Sequence, residues 1–333
     1  MKFNLKNIRL IKTGPIKDML ISFTDSNNKP LDFVVIGGSN GSGKTTILES
    51  ITELLNLLTR CAHMSPNYKR NTKYSQLDLM VDDEELTIWI GDKPTDAIHS
   101  EQNVLGYERL KSGRYRRKAS GDLISYLHSQ THYDEEEIDC KDFGSITHIP
   151  DNLPTIIHFP GNRVIEKLKG NNQIYKETTP YNFIYKYKNI RQFEGSFQSY
   201  LIWLEYADKK TFRRITDFIN QLEFGKKKFK INRLELEVEV VLKDGTTHSL
   251  DELSSGEQNL FIILTELRRR IDRPSIVLID KIELSLHSAF QLKLLEGLHN
   301  LQKIIPMQVI VTTHSTSVFN YLDNDARRVL NQF

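Results

Sequence analysis

The sequence predicts an α/β fold: a mixed sheet around a glycine-rich loop, an antiparallel N-terminal sheet, and a helical insertion. Three observations carry this. The apolar run Phe33-Val34-Val35-Ile36 leads into Gly38-Ser39-Asn40-Gly41-Ser42-Gly43-Lys44-Thr45-Thr46, and a helical apolar pattern follows at once. Two more apolar runs, at 275–279 and 308–311, have the continuity of strands buried on both faces. Around them, residues 77–81 and 86–90 alternate apolar and polar side chains, as half-buried antiparallel strands do.

Taken in order, residues 3–11, 19–23 and 33–36 read as strands, with the polar run 25–30 turning before the third. Residues 45–58 read as a helix, because Ile47, Leu48, Ile51, Leu54, Leu55 and Leu58 fall at helical spacing. Residues 77–90 read as a hairpin that turns at 82–84. From 92 to 154 the pattern breaks into expected loops with some helix. This stretch holds a basic cluster (Lys111, Arg114, Arg116, Arg117, Lys118) and an acidic run at 134–137. Residues 155–159 read as a buried strand, and 180–224 as mostly helical and aromatic-rich. Leu234, Leu236, Val238 and Val240 alternate with charges as a strand before a turn at 243–246. A helix at 256–270, a strand at 275–279, a helix at 289–301 and a strand at 308–311 complete the pattern. The expected division is a first lobe at 1–95, an inserted, largely helical and loop region at 96–232, and a second lobe at 233–333.

The chain has 333 residues, 39% hydrophobic and 26% charged, which suits a globular protein with a sizeable core. Lys plus Arg number 45 against 43 Asp plus Glu, a balance unlike that of a uniformly basic nucleic-acid coat. Cys61 and Cys140 lack metal-ligand spacing and suit reduced thiols. The first six residues alternate as a strand, unlike a signal peptide, and no apolar run approaches the roughly 20 residues of a membrane span. A cytoplasmic location without membrane contact is expected.

The loop at 38–46 is expected to hold a nucleoside triphosphate. Its glycines let backbone N–H groups curl around a polyphosphate without Cβ clashes, and the following helix adds its positive dipole end. Lys44 would reach the β- and γ-phosphates and the Thr45 hydroxyl would bind Mg²⁺, so ATP and Mg²⁺ are the expected cofactors. Asp280 ends the apolar run at 275–279 and is the second expected Mg²⁺ residue. Leu253-Ser254-Ser255-Gly256-Glu257-Gln258 is a tight turn into a helix, whose hydroxyls and N–H groups make an anion site. The same Ser-x-x-Glu spacing also serves as a plain capping box. A chain that cradles phosphates with its own loop leaves such a second site for another nucleotide. The expected assembly is therefore a head-to-tail homodimer or higher oligomer. His314, in Thr312-Thr313-His314, follows the last buried strand.

In this order the motifs resemble the ATP-binding-cassette (ABC) ATPase head. The chain is similar to the overcoming-lysogenisation-defect (OLD) and PtuA-like group, related to SMC and RecF heads, over residues 1–58 and 233–318. Between them the strand at 155–159, with Pro160 and Arg163, adds to the likeness. The resemblance implies that residues 253–258 form the signature, acting in trans on the partner's γ-phosphate. It implies that Asp280 is the Walker B aspartate, that His314 is the switch histidine at the γ-phosphate, and that the loop from Glu283 to His287 crosses the dimer seam. Many members of the group act in bacterial anti-phage defence beside a nuclease. The implied role is a sensor or regulatory subunit controlling a nuclease effector, HNH-type among the candidates. The 19 residues after His314 leave no room for a nuclease domain, so either the effector is a separate protein, or the sequence is a piece of a longer chain, or there is no nuclease. The alternative is a DNA-repair or chromosome-maintenance ATPase that clamps DNA.

Lys281 departs from the pattern. Such heads carry a catalytic glutamate after the metal aspartate, and an ammonium cannot accept a hydrogen bond from the attacking water. ATP binding is expected, and hydrolysis is expected to be slow or absent. Elsewhere, His128 and His132 precede the acidic run, where a solvated loop is the plainer reading than a metal site. The basic clusters at 111–118 and 226–230 are each open to two readings, a solvated surface or a contact with a phosphate backbone.

Overall fold

The computed structural model describes residues 1–59, 66, 68, 71–94, 102–131, 153–168, 174–177, 181–221 and 227–330. Cys61, Cys140, His132, the acidic run at 134–137 and Lys226 lie outside the described residues.

A hairpin of β1 (Phe3–Thr13) and β2 (Ile16–Ser22) opens the chain, and β3 (Phe33–Gly38) feeds the glycine loop and α1 (Lys44–Leu55). Next come β4 (Tyr74–Val81), β5 (Glu84–Gly91), β6 (Val104–Arg109), β7 (Tyr115–Ser120) and α2 (Asp122–Thr131). The middle holds β8 (Thr155–Phe159), β9 (Ile184–Lys186), α3 (Phe197–Ala207) and α4 (Lys209–Gln221). A small sheet follows, of β10 (Lys228–Asn232), β11 (Glu237–Val241) and β12 (Thr247–Ser249). The chain then runs through α5 (Ser255–Arg270), β13 (Ser275–Ile279), α6 (Ser288–Gln302), β14 (Met307–Thr313), α7 (Thr316–Tyr321) and β15 (Arg327–Leu330).

Two six-stranded sheets organise these elements. The N-terminal sheet has the order β2-β1-β4-β5-β6-β7 and is antiparallel except where β5 and β6 pair parallel. The second has the order β15-β3-β14-β13-β8-β9, with every pair parallel. Its strands are nearly continuous apolar runs because both faces are covered. Along β3, Val34 and Ile36 enter one core, with α1 and the N-terminal sheet. Phe33 and Val35 enter the other, with α3, α5 and α6. The two-residue period of a strand thus sends alternate side chains to opposite layers.

Two expectations on the middle of the chain need correction. Residues 104–120, expected as loop and helix, contain the β6–β7 hairpin that extends the N-terminal sheet. Leu105 and Tyr107 are its buried side chains, too short an alternation to stand out in sequence. The basic cluster therefore lies on a hairpin, largely exposed, with Lys118 paired to Glu108 at 2.9 Å. Leu234, expected on an alternating strand, is 93% exposed. Asn232 Oδ1 accepts from the N–H groups of Leu234 and Glu235 at 3.1 and 3.2 Å, so the chain turns there and β11 starts only at Glu237.

Candidate functional site

Parallel pairing fixes where the chemistry collects. The register sets Thr313 beside Gly37, and Ile279 beside both Val311 and Phe159. The carboxyl ends of β3, β14, β13 and β8 therefore share one edge of the sheet, where ligands bind in α/β folds. The glycine loop, His314, Asp280 and the segment Gly161–Arg163 all leave from that edge.

The loop has the backbone that its glycines suggest. Gly41 and Gly43 take φ of 81 and 92, in the left-handed region that costs glycine least. Gly43 also caps α1 without a side-chain hydrogen bond, which leaves N–H groups of the first turn for an anion. Gly38, Ser39, Asn40 and Ser42 complete the curl. Lys44 Nζ donates to the carbonyls of Gly38 at 2.8 Å and Ser39 at 2.7 Å, so its charge sits inside the loop. Burial pulls the Lys44 ammonium below its usual pKa, and the Asp280 and Glu283 carboxylates oppose that shift. Thr46 lies just inside α1, facing Gly14.

Asp280 is buried and held by hydroxyls. Thr45 Oγ1 donates to Oδ2 at 2.8 Å and Thr312 Oγ1 to Oδ1 at 2.5 Å. Among the described residues no group of three or more His, Cys, Asp and Glu side chains converges as a metal cage. A Thr hydroxyl beside one carboxylate is instead the sparse oxygen donor set that suits Mg²⁺, which keeps waters and shares phosphate oxygens.

Lys281 lies exposed beside this carboxylate with φ of 49. Its N–H donates to Thr312 Oγ1 at 2.8 Å. His314 is exposed and follows β14. Its backbone N–H and the Thr313 hydroxyl both donate to the Glu283 carboxylate, at 2.9 and 2.7 Å. Glu283 thus fixes the histidine's segment.

The turn at 253–258 shows both of its readings in part. Leu253 is buried. Ser254 caps α5 in a capping box with Glu257, whose carboxylate also pairs with Lys227 at 2.5 Å. Ser254 and Ser255 remain exposed, and among the described residues the N–H groups of Ser255 and Gly256 have no partner. Gln258 turns inward, donating to the carbonyls of Asp251 and Leu253. A Cβ on Gly256 would stand 2.4 Å from the Ser285 carbonyl, so the helix start is seated on the loop after Asp280.

Sequence reasoning gave no role to three residues here. Gly161 approaches Asp280 so closely that a Cβ would lie 3.0 Å from Oδ2. Arg163 is buried and donates to four carbonyls: Phe159, Pro160, Asp280 and Lys281. Burial lowers its pKa to about 10, which still leaves it charged at neutral pH. Asn259 accepts from Arg163 Nε at 2.7 Å. The available signal for Arg163 was its place in the likeness at 155–163, four residues past an apolar strand, and only the sheet order gives it a role. A cavity of about 560 Å³ lies elsewhere, lined by Ile165, Leu236, Leu250 and Asp251 among others, and no phosphate-loop residue lines it.

A glycine loop between β3 and α1, with an aspartate ending a strand of the same parallel sheet, defines a nucleotide-binding ATPase. The chain belongs to the AAA ATPase domain family, whose model matches residues 1–318. It is 22% identical over 400 residues to the retron Vc95 probable ATPase of Vibrio cholerae serotype O1 biovar El Tor, covering 99% of this chain and 74% of that protein. It is 30% identical over 129 residues to the retron Ec83 probable ATPase of Escherichia coli, covering 35% of this chain and 23% of that protein. In fold it is similar to an Smc head domain derived from Pyrococcus furiosus, with a TM-score of 0.50 and 13% identity over 96% of this chain and 92% of that one. Among the described residues no helix is long and apolar enough to cross a membrane.

Proposed function

We propose that this chain binds ATP with Mg²⁺ and dimerises head to tail around two nucleotides. Its biological role, on this reading, is the sensor or regulatory subunit of an anti-phage defence complex of the OLD/PtuA-like kind, controlling a separate nuclease effector. One observation carries the dimer. Among the described residues, two helix starts at glycine-bearing motifs, Gly43–Lys44 on α1 and Ser255–Gly256 on α5, leave first-turn N–H groups for an anion, and one triphosphate occupies only its own loop. The second start suits the γ-phosphate of a partner's nucleotide. The likeness to retron ATPases supports the defence role. Lys44 holds the phosphate charge, Thr45 and Asp280 would hold Mg²⁺, which neutralises that charge, and His314 would meet the γ-phosphate.

Sedimentation with and without ATP and Mg²⁺ tests this. The chain is expected to shift to dimer or higher order with ATP, and Lys44→Ala to lose both the shift and nucleotide binding. Association that ignores nucleotide would overturn the reading. A second reading, a DNA-clamping repair or maintenance ATPase, rests on β7. This edge strand of the N-terminal sheet carries Arg116, Arg117 and Lys118. Charged edge strands also serve simply to block edge-to-edge pairing. ATP-dependent, salt-sensitive DNA binding that weakens when these three are neutralised would favour the clamp.

A further inference from the structure

Three segments meet at one buried side chain. Arg163 follows β8, Asp280 and Lys281 follow β13, and Asn259 lies one turn into α5. The Arg163 guanidinium donates to the Asp280 carbonyl at 2.7 Å and to the Lys281 carbonyl at 3.1 Å. Its Nε donates to Asn259 Oδ1 at 2.7 Å. Asn259 Nδ2 in turn donates to the Leu284 carbonyl at 3.0 Å. Arg163 is 2% exposed and Asn259 0%. No carboxylate pairs with this guanidinium at ion-pair distance among the described residues, and carbonyls and one amide take its donors. An arginine buried in this way is a costly way to fill space, because at hydrogen-bond distance its charge is met by dipoles, with the Asp280 and Glu283 carboxylates supporting it from further off. What it provides is rigidity. A shift of the α5 start moves Asn259, and the Arg163 fork carries that shift to the backbone of the metal aspartate and of residue 281.

We propose that Arg163 and Asn259 are positioning residues that couple the two nucleotide sites of the dimer. A partner's triphosphate that settles on Ser255 and Gly256 moves α5, and the Asn259–Arg163 bond delivers that movement to Asp280 and residue 281 of the same chain. Each site is thereby set by occupation of the other. This rests on the dimer reading above.

The test uses the full chain carrying Lys281→Glu, where turnover is expected to be measurable. In that parent, phosphate release per chain should rise with protein concentration as dimers form. Asn259→Ala in the same background should keep the fold by thermal melting, the nucleotide affinity by calorimetry, and the dimer by sedimentation. Its stimulated turnover should fall about fivefold or more, the lower range of common site-to-site coupling. Asn259→Asp keeps the acceptor for Arg163 Nε but loses the donor to Leu284, and should retain most of the stimulation. A merely structural role would lower stability or affinity along with turnover. Full stimulation in a dimeric Asn259→Ala protein would overturn the coupling and leave the dimer standing. Loss in both variants would place the link at Leu284 and overturn the role of Arg163. A parent that shows no concentration-dependent turnover would overturn dimer and coupling together.

Discussion

Thr45 and Asp280 lie 235 positions apart in the chain, and the Thr45 hydroxyl donates to Asp280 Oδ2 at 2.8 Å. The parallel sheet brings them together, since the loop of β3 and the end of β13 share an edge. The hydroxyl and carboxylate are also the two groups expected to hold Mg²⁺. Chelating Mg²⁺ should therefore weaken ATP binding. Asp280→Asn removes the charge and should make affinity nearly indifferent to Mg²⁺. The expected loss is about tenfold or more with Mg²⁺ present, as for a hydrogen bond to a charged group. Calorimetry with and without chelator measures it, and an unchanged Mg²⁺ response would take the metal away from Asp280.

A side chain at Gly256 should block nucleotide-dependent association. In Gly256→Ala the new Cβ would press on the Ser285 carbonyl from 2.4 Å, so either the α5 start or the 281–287 loop must move. Overpacking of this kind costs about 1–3 kcal/mol. The Asp280 carboxylate keeps its bonds from Thr45 and Thr312, so an α5 shift that reaches its backbone through Asn259 and Arg163 should alter turnover and not the affinity of a single chain. Nucleotide affinity of the single chain should accordingly stay close to that of the parent, while sedimentation shows loss of the dimer. A matching loss of single-chain affinity would put this turn in the chain's own pocket.

Much of the site was legible in sequence, for local reasons. Gly43 and Lys44 announce a loop because positive φ and helix initiation are properties of neighbouring residues. Leu253, Gly256 and Asp280 sit at element ends, and the order of the motifs with the resemblance to ABC heads singles them out. The β6–β7 hairpin was not legible, since Leu105 and Tyr107 give two inward side chains and the pairing partner is β5. Arg163 entered the sequence reading only as part of the likeness at 155–163, without a role, because its partners at 259, 280 and 281 are set by sheet order and not by spacing. Leu234 misled the strand reading because the Asn232 side chain, acting locally, outcompeted the alternating pattern.

His158 should make stability depend on pH. It is buried on β8, and burial, with a smaller push from Lys186, lowers its pKa to about 4 from an ordinary 6.5. Thr52 Oγ1 donates to the Leu48 carbonyl, which makes it the acceptor of the His158 Nδ1 proton at 3.0 Å. The folded state holds this histidine neutral while the unfolded state protonates below about pH 6.5. The unfolded chain then binds the extra proton, so stability falls as pH drops from about 6.5 toward 4, by roughly 3 kcal/mol at the end of that window. Urea melts across the window should show the slope, and His158→Gln should reduce it. A slope equal in both proteins would mean that other groups set the acid limit.

Lys281 bears the prediction that most defines what this chain does. A carboxylate there would hold the attacking water in line with the γ-phosphate, and an ammonium cannot. The backbone of residue 281 is fixed from both sides, its N–H by Thr312 and its carbonyl by Arg163, so the side chain can be exchanged without moving the turn. Its left-handed φ of 49 belongs to that turn and should persist in the Lys281→Glu protein. A positioned general base contributes about 10²–10⁴-fold, so turnover of the chain with Lys281 should be very low. The ammonium beside the triphosphate should also favour retention of ATP over release. Lys281→Glu should raise steady-state phosphate release by at least about tenfold, a part of that contribution. Nucleotide extracted after incubation should be ATP from the Lys281 protein and largely ADP from the Lys281→Glu variant. Brisk hydrolysis that this substitution leaves unchanged would mean that another group supplies the base, with Glu283, already bound to Thr313 and the His314 backbone, the first to replace.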